Sequence, residues 1–132
     1  MFEGRVAVVT GGTRGIGAAI TETLVKTGVH VAAGYNKGKE GAEKCRDRLA
    51  RQGASVSCHQ GRVDDFEDCK RVIDEVLAQY GRVDYLVNNA GITIDKTLRK
   101  MSPQDWLNVL SVNLSGAFNM TKAVLEHMIE RG

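Results

Sequence analysis

The stretch VAVVTGGTRGIG, residues 6–17, drives a short apolar run directly into glycines at positions 11, 12, 15 and 17. Behind them Ile16, Ile20, Leu24 and Val25 recur at the spacing of one helical face, and Gly28 stands where a helix would end. A strand, a tight turn and a helix in that order begin an α/β layer. The pattern then repeats. VHVAAG (29–34), ASVSCH (54–59) and VDYLVNN (83–89) read as strands. Between them, a charged segment over 40–52 closes on Gly53, and Cys69, Val72, Ile73, Val76, Leu77 and Tyr80 form one stripe before Gly81. Alternation of this kind, with connections long enough for crossovers, predicts a parallel sheet covered by helices.

The last element opens at SPQDW, where Ser102 can cap, Pro103 suits the first helical position and Asp105 completes a capping box. Apolar residues from Trp106 to Ile129 cover more than one stripe of this long helix, which predicts burial on more than one side. No fifth strand follows it before HMIERG. Residues 1–132 are expected to form one domain.

Composition narrows the partners. Eighteen basic residues against 16 acidic ones give a net charge of +2 with no basic patch, which argues against nucleic acid. Cys45, Cys58 and Cys69 form no CxxC pair and have no ligand-spaced histidines, so reduced thiols and no metal site are expected. There is no apolar run long enough for a membrane span, and MFEGRVAVV lacks the marks of a secretory leader, so the expected location is cytoplasmic.

The glycines do not make the GxGxxG pattern; they make TGxxxGxG. A P-loop is excluded because Ala18 and Ala19 follow Gly17. The chemistry survives the change of spacing. Glycines let a backbone turn sharply and approach a pyrophosphate, and the amides at the helix start, around Ile16 and Gly17, are free to donate to negative charge. A strand-to-helix turn without a ligand is the alternative.

Thr10, Gly11, Gly15 and Gly17, together with the NNAG run Asn88–Gly91, resemble the two signatures of the short-chain dehydrogenase/reductase family. From Leu86 onward the chain is similar to 3-oxoacyl-acyl-carrier-protein reductases and acetoacetyl-CoA reductases of that family. The resemblance implies an α/β, Rossmann-type doubly wound parallel sheet, here its first four strands with their helices. It implies a nicotinamide dinucleotide on Gly11, Thr13, Arg14, Gly15, Ile16 and Gly17, with Asn89, Ala90 and Gly91 along the nicotinamide ribose. Cofactor choice falls to Tyr35 and Asn36 at the end of the second strand. An acid there would favour NAD; its absence, with Arg14 and Lys37 nearby, favours NADP(H). The adenine is expected at Gly61, Arg62 and Val63. Many family members carry an acid where Arg62 stands, so backbone contacts are expected there rather than a side-chain contact.

For catalysis, the resemblance implies that Asn113, expected in apolar surroundings on the long helix, belongs to a tetrad with Ser, Tyr and Lys and holds a proton-relaying water. The other three would lie beyond Gly132. The one YxxxK present, Tyr35–Lys39, is expected in a loop at the adenosine end, away from Asn113. The complete enzyme would reduce a 3-oxoacyl thioester with NADPH, as a homotetramer packed through the long helix. Asp95, just after NNAGIT, is a candidate contact for the substrate's pantetheine end. Residues 1–132 alone are expected to be inactive. They are a piece of a full enzyme, a nucleotide-binding module without a reaction, or a subunit completed by a second chain.

Overall fold

Val6–Val9 form β1, and all four side chains are buried. A strand inside a parallel sheet is covered on both faces, which is why the run is apolar without alternation. The computed structural model describes residues 1–132. After β1 come α1 (Gly15–Val25), β2 (His30–Tyr35), α2 (Lys39–Ala50), β3 (Val56–Gln60), α3 (Phe66–Tyr80) and β4 (Tyr85–Val87). Then follow α4 (Pro103–Leu110), a π-helical turn over Ser111–Ser115, and α5 (Gly116–Arg131). The sheet order is β3-β2-β1-β4, with every pairing parallel.

Alternate residues of β1 serve opposite faces. Val6 and Val8 join Ala32, Cys69, Ile73, Val76, Val83, Met120 and Val124 in one core beneath α3 and α5. Ala7 and Val9 join Val29, Val31 and Ala33 in the other, packed against Ile20, Leu24 and Val25 of α1. The sheet is therefore covered from both sides in the doubly wound manner. At its lower end, Asp84 accepts a hydrogen bond from the Val6 amide at 2.8 Å and is gripped by Arg82. No helix is long and apolar enough to cross a membrane.

Three expectations need correction. Ile16 is 76% exposed, because the first turn of α1 points it into the open rather than onto the core stripe. β4 is only three residues long and half-buried, having a neighbour on one edge alone. The long helix buries one face, not more. Gly116, Asn119, Met120 and Val124 are covered, while Trp106, Leu107, Leu114, Phe118, Leu125 and Ile129 stay exposed, since no described element lies against them. The Ser102 capping box forms as expected. The helix is interrupted at Ser111–Ser115, where the wider π turn adds a residue and shifts the face presented.

Candidate dinucleotide site

The turn after β1 has little freedom to be anything but glycine. Gly11 and Gly15 hold φ of +61° and +57°, the left-handed region that side chains resist. Gly17 is tight for a different reason: a Cβ there would overlap the Gly11 carbonyl and lie 2.6 Å from Asn89 Nδ2. At Gly15 a Cβ would meet open space. Buried Thr21 donates its hydroxyl to the Gly12 carbonyl at 2.9 Å and fixes the turn from beneath.

α1 begins with no side-chain cap; its N-cap, Arg14, is extended and leaves the helix end open. The first amide of this helix to find a partner is that of Ala18, on the Arg14 carbonyl at 3.2 Å. The amides of Gly15, Ile16 and Gly17 thus remain as donors at the positive end of the helix dipole. A pyrophosphate fits this cradle in charge, in donor count and in the backbone approach that Gly15 permits.

The NNAG turn is bolted to the glycine turn. Thr10 Oγ1 accepts from the amides of Asn89 and Ala90 at 3.0 and 2.9 Å. Asn89 Nδ2 donates to the carbonyls of Thr10 and Gly11 at 3.0 and 3.2 Å. Beside it, Asn88 reaches Thr121 of α5 at 3.1 Å. The two motifs, far apart in sequence, form one rigid rim at the carboxyl ends of β1 and β4.

That rim borders a cleft of about 900 Å³. Gly11, Thr13, Arg14, Gly15, Ile16, Gly17, Tyr35, Asn36, Gly61, Arg62, Val63, Asn89, Ala90 and Gly91 all line it, so every residue expected to hold the dinucleotide faces one space. Lys37 lines it as well, while Asp95 and Asn113 do not. Arg14 and Lys37 are exposed cations that line the same cleft as Tyr35, and no acid stands at the end of β2.

Asn113 does not sit in apolar surroundings. It is exposed in the π turn and grips a backbone: its Oδ1 accepts from the Ile92 amide at 2.8 Å and its Nδ2 donates to the Ile92 carbonyl at 2.9 Å. Periodicity counted its helical neighbours but could not show that the NNAG loop folds back over it. One N–H and one lone pair of the side chain are left for other partners. Tyr35 and Lys39 are likewise not in a loop; the first ends β2 and the second opens α2.

The segment after β3 is held by residues that local pattern did not single out. Asp68 accepts from the Arg62 amide at 2.9 Å, and that bond, the largest influence on it, holds its carboxyl below the usual aspartate range. Arg71 donates to the Gln60 carbonyl at 2.7 Å and pairs with Glu75. From the other side Asn119 donates to the Val63 carbonyl at 2.9 Å, and Gly116 lets the helix approach, since a Cβ there would lie 2.7 Å from Val63 Cγ2. Arg62 turns its guanidinium onto Asp64 in a two-pronged pair at 3.1 and 2.7 Å. A polar Asn on the buried stripe of an amphipathic helix was the available signal for Asn119; Asp68 gave none.

Known proteins share this fold. The family model for short chain dehydrogenase matches residues 5–132. Acetoacetyl-CoA reductase of Cupriavidus necator is 41% identical over 97% of this chain and 52% of its own length. A 3-oxoacyl-acyl-carrier-protein reductase of Salmonella typhimurium is 40% identical over 98% of this chain, again 52% of its own. Among solved structures, a double mutant of a Serratia marcescens short-chain dehydrogenase/reductase superposes with a TM-score of 0.90 at 30% identity, covering 96% of this chain and 51% of that one. The chain spans about half the length of the curated relatives it matches.

Proposed function

The chain belongs to the short-chain dehydrogenase family, and from that premise we propose that it forms the NADP(H)-binding half of a reductase acting on 3-oxoacyl thioesters. The observation that carries this reading is the cleft itself, in which an uncapped helix start, two free cations and the Thr10–Asn89 rim converge. When bound, the nicotinamide would supply a hydride to the thioester's keto carbon.

Each residue has a part. The amides of Gly15, Ile16 and Gly17 donate to the pyrophosphate, and Gly11 and Thr13 shape the turn beneath it. Arg14 and Lys37 take a 2′-phosphate beside Tyr35 and Asn36, where an acid would repel it. Gly61, Arg62 and Val63 border the adenine. Asn89, Ala90 and Gly91 wall the nicotinamide ribose, and Asn113, by clamping Ile92, holds that wall while its spare N–H and lone pair keep a water in place. Asp95, exposed beyond Ile94, offers a carboxylate to the pantetheine end of the substrate. The substrate class follows the names of the two relatives above. Second copies of the chain packing on Trp106, Leu114 and Phe118 would cover the apolar face in a homotetramer.

A second reading, a dinucleotide-binding unit without turnover of its own, is favoured by one observation. The YxxxK of residues 1–132, Tyr35–Lys39, follows β2, on the other side of β1 from β4 and the Ile92 loop that Asn113 holds, so that pair does not stand at the proposed nicotinamide wall to protonate a developing alkoxide. Acetoacetyl-CoA and NADPH decide between them. Residues 1–132 should show no NADPH oxidation, and a protein that continues them with a Ser and a Tyr-x-x-x-Lys helix should show steady turnover. Turnover by residues 1–132, pure by mass, would refute the assignment of roles; none from the continued protein, with NADPH bound, would leave the second reading.

A further inference from the structure

Away from the glycine turn and its rim, one line of polar side chains has no part in holding a dinucleotide. Ser57 and His59 stand two residues apart on β3 and so project from the same face of the sheet, the face that α3 covers. Ser57 Oγ lies 2.8 Å from His59 Nε2, its one side-chain partner, and His59 Nδ1 lies 2.9 Å from Glu75 Oε2. Behind the imidazole, Arg71 donates to the other oxygen of Glu75 at 2.6 Å. Burial pushes the Glu75 carboxyl up, but the bonds from His59 and Arg71 outweigh it and hold it below the usual glutamate value. An ionised carboxylate can only accept, so Nδ1 carries the proton, and in the neutral ring Nε2 is left to accept the Ser57 hydroxyl. The His59 side chain is 7% exposed, whereas Ser57 is half-buried. Of the three, His59 alone touches the wall of the cleft.

We propose that Ser57, His59 and Glu75 form a second reactive site, a serine nucleophile with its general base and that base's positioning residue, which cleaves small carboxylic esters. The site makes no use of a dinucleotide and so goes beyond the reading above. Hydroxyl, imidazole and carboxylate in this order are recognised by geometry and roles rather than by fold or sequence order. The edge of the sheet adds a further part. The Val31 amide donates to the Ser55 carbonyl and the Gly61 amide to the Tyr35 carbonyl, so the odd-numbered residues of β3 bond β2 and the Cys58 amide points to the side where no strand follows. A free amide one residue after the nucleophile is a donor available to an oxyanion formed on Ser57. In the first step Ser57 Oγ bonds to the ester carbonyl carbon while His59 Nε2 takes the hydroxyl proton; the bond to the alcohol oxygen breaks, and that proton leaves with the alcohol. Water then adds to the acyl-serine through the same base, the carboxylic acid departs, and Ser57 recovers its proton. Ser57 does not line the cleft, so the acyl groups it takes are short.

The test gives the protein p-nitrophenyl acetate as substrate and a fluorophosphonate as irreversible label. Release of p-nitrophenolate above the uncatalysed rate is expected, with one phosphonyl adduct mapped by peptide mass to Ser57. S57A should lose both. H59Q should slow labelling by about a hundredfold. E75Q should slow it by about tenfold or more at an unchanged thermal midpoint, and E75D, which keeps the charge, should recover part of the loss. Glu75 is 41% exposed, so its two variants decide the matter even where H59Q does not fold. An adduct on some other residue in place of Ser57, no adduct on the folded protein, or equal labelling rates in E75Q and the unmodified protein would each overturn the proposal.

Discussion

α1 and α3 both leave the carboxyl end of a parallel strand and both face the same cleft, yet they begin in opposite ways. α3 opens on Asp65, whose side chain accepts from two of its own amides. α1 opens on Arg14, which caps nothing and leaves the amides of Gly15, Ile16 and Gly17 without partners. Unpaired donors at a helix start are ordinarily satisfied by a Ser, Thr, Asp or Asn at the N-cap, worth about 1 kcal/mol. The chain supplies that residue at Asp65 and again at Ser102, and leaves α2 uncapped at Gly38, which does not line the cleft. It withholds it also at the glycine turn, where the open amides line the cleft and the proposed pyrophosphate would be their partner.

The largest effects are expected inside the turn. Gly17→Val drives a side chain into the Gly11 carbonyl and Asn89. It should abolish NADPH binding and lower the thermal midpoint substantially, as seen by calorimetry. Gly15→Val has open space for its side chain but the wrong φ, so it should lose NADPH while costing about 1–3 kcal/mol of backbone strain and keeping the circular dichroism of the fold. If both variants behave alike, the two glycines do not have the separate roles the geometry gives them.

A smaller, sharper test converts one helix start into the other. Arg14→Ser places a capping hydroxyl at an N-cap that is already extended, φ −151° and ψ 162°. Stability should rise by about 0.5–2 kcal/mol. Affinity for NADH, which lacks the 2′-phosphate and so isolates the pyrophosphate contact, should fall. Asp65→Ala should do the reverse: lose about 1 kcal/mol of stability and leave NADH affinity near its original value. Equal losses of NADH affinity from both would erase the distinction between a cap and a cradle.

Acid separates the two regions by the least. Backbone bonding from Arg62 holds Asp68 below its ordinary value of 3.8. A carboxylate depressed in the folded state contributes fully above its unfolded pKa, and that contribution fades as pH falls through the lower folded value. The Arg62 amide resonance should therefore titrate with a midpoint below 3.8, while the amides of Gly15 and Ile16, with no carboxylate partner, should not move with it. A midpoint above that value would contradict the assignment.

Much of this architecture is legible in the sequence, and the reason is locality. The β1 run, the glycine turn, the Ser102 capping box and Gly81 each depend on neighbours within a few residues. What stayed hidden depends on segments that meet only after folding. Asn113 finds Ile92, Asn119 finds Val63, and Thr10 finds Asn89, none of them close in sequence. Ile16 misled because helical period cannot see that a first turn projects beyond the sheet it packs on. The π turn at Ser111–Ser115 has no marker in residue type. The exposed stripe of α4 and α5 read as buried because apolar residues show that a face wants cover, not what covers it.

The central claim is that the uncapped start of α1 and the cations beside it bind a phosphate-bearing dinucleotide. Isothermal titration of the protein with NADPH and with NADH tests it directly. One saturable site is expected for each, with NADPH the tighter by about tenfold or more, as a charge-assisted 2′-phosphate contact with Arg14 and Lys37 requires. Equal dissociation constants would contradict the role of those cations, and no heat from either ligand at millimolar concentration would contradict the claim as a whole.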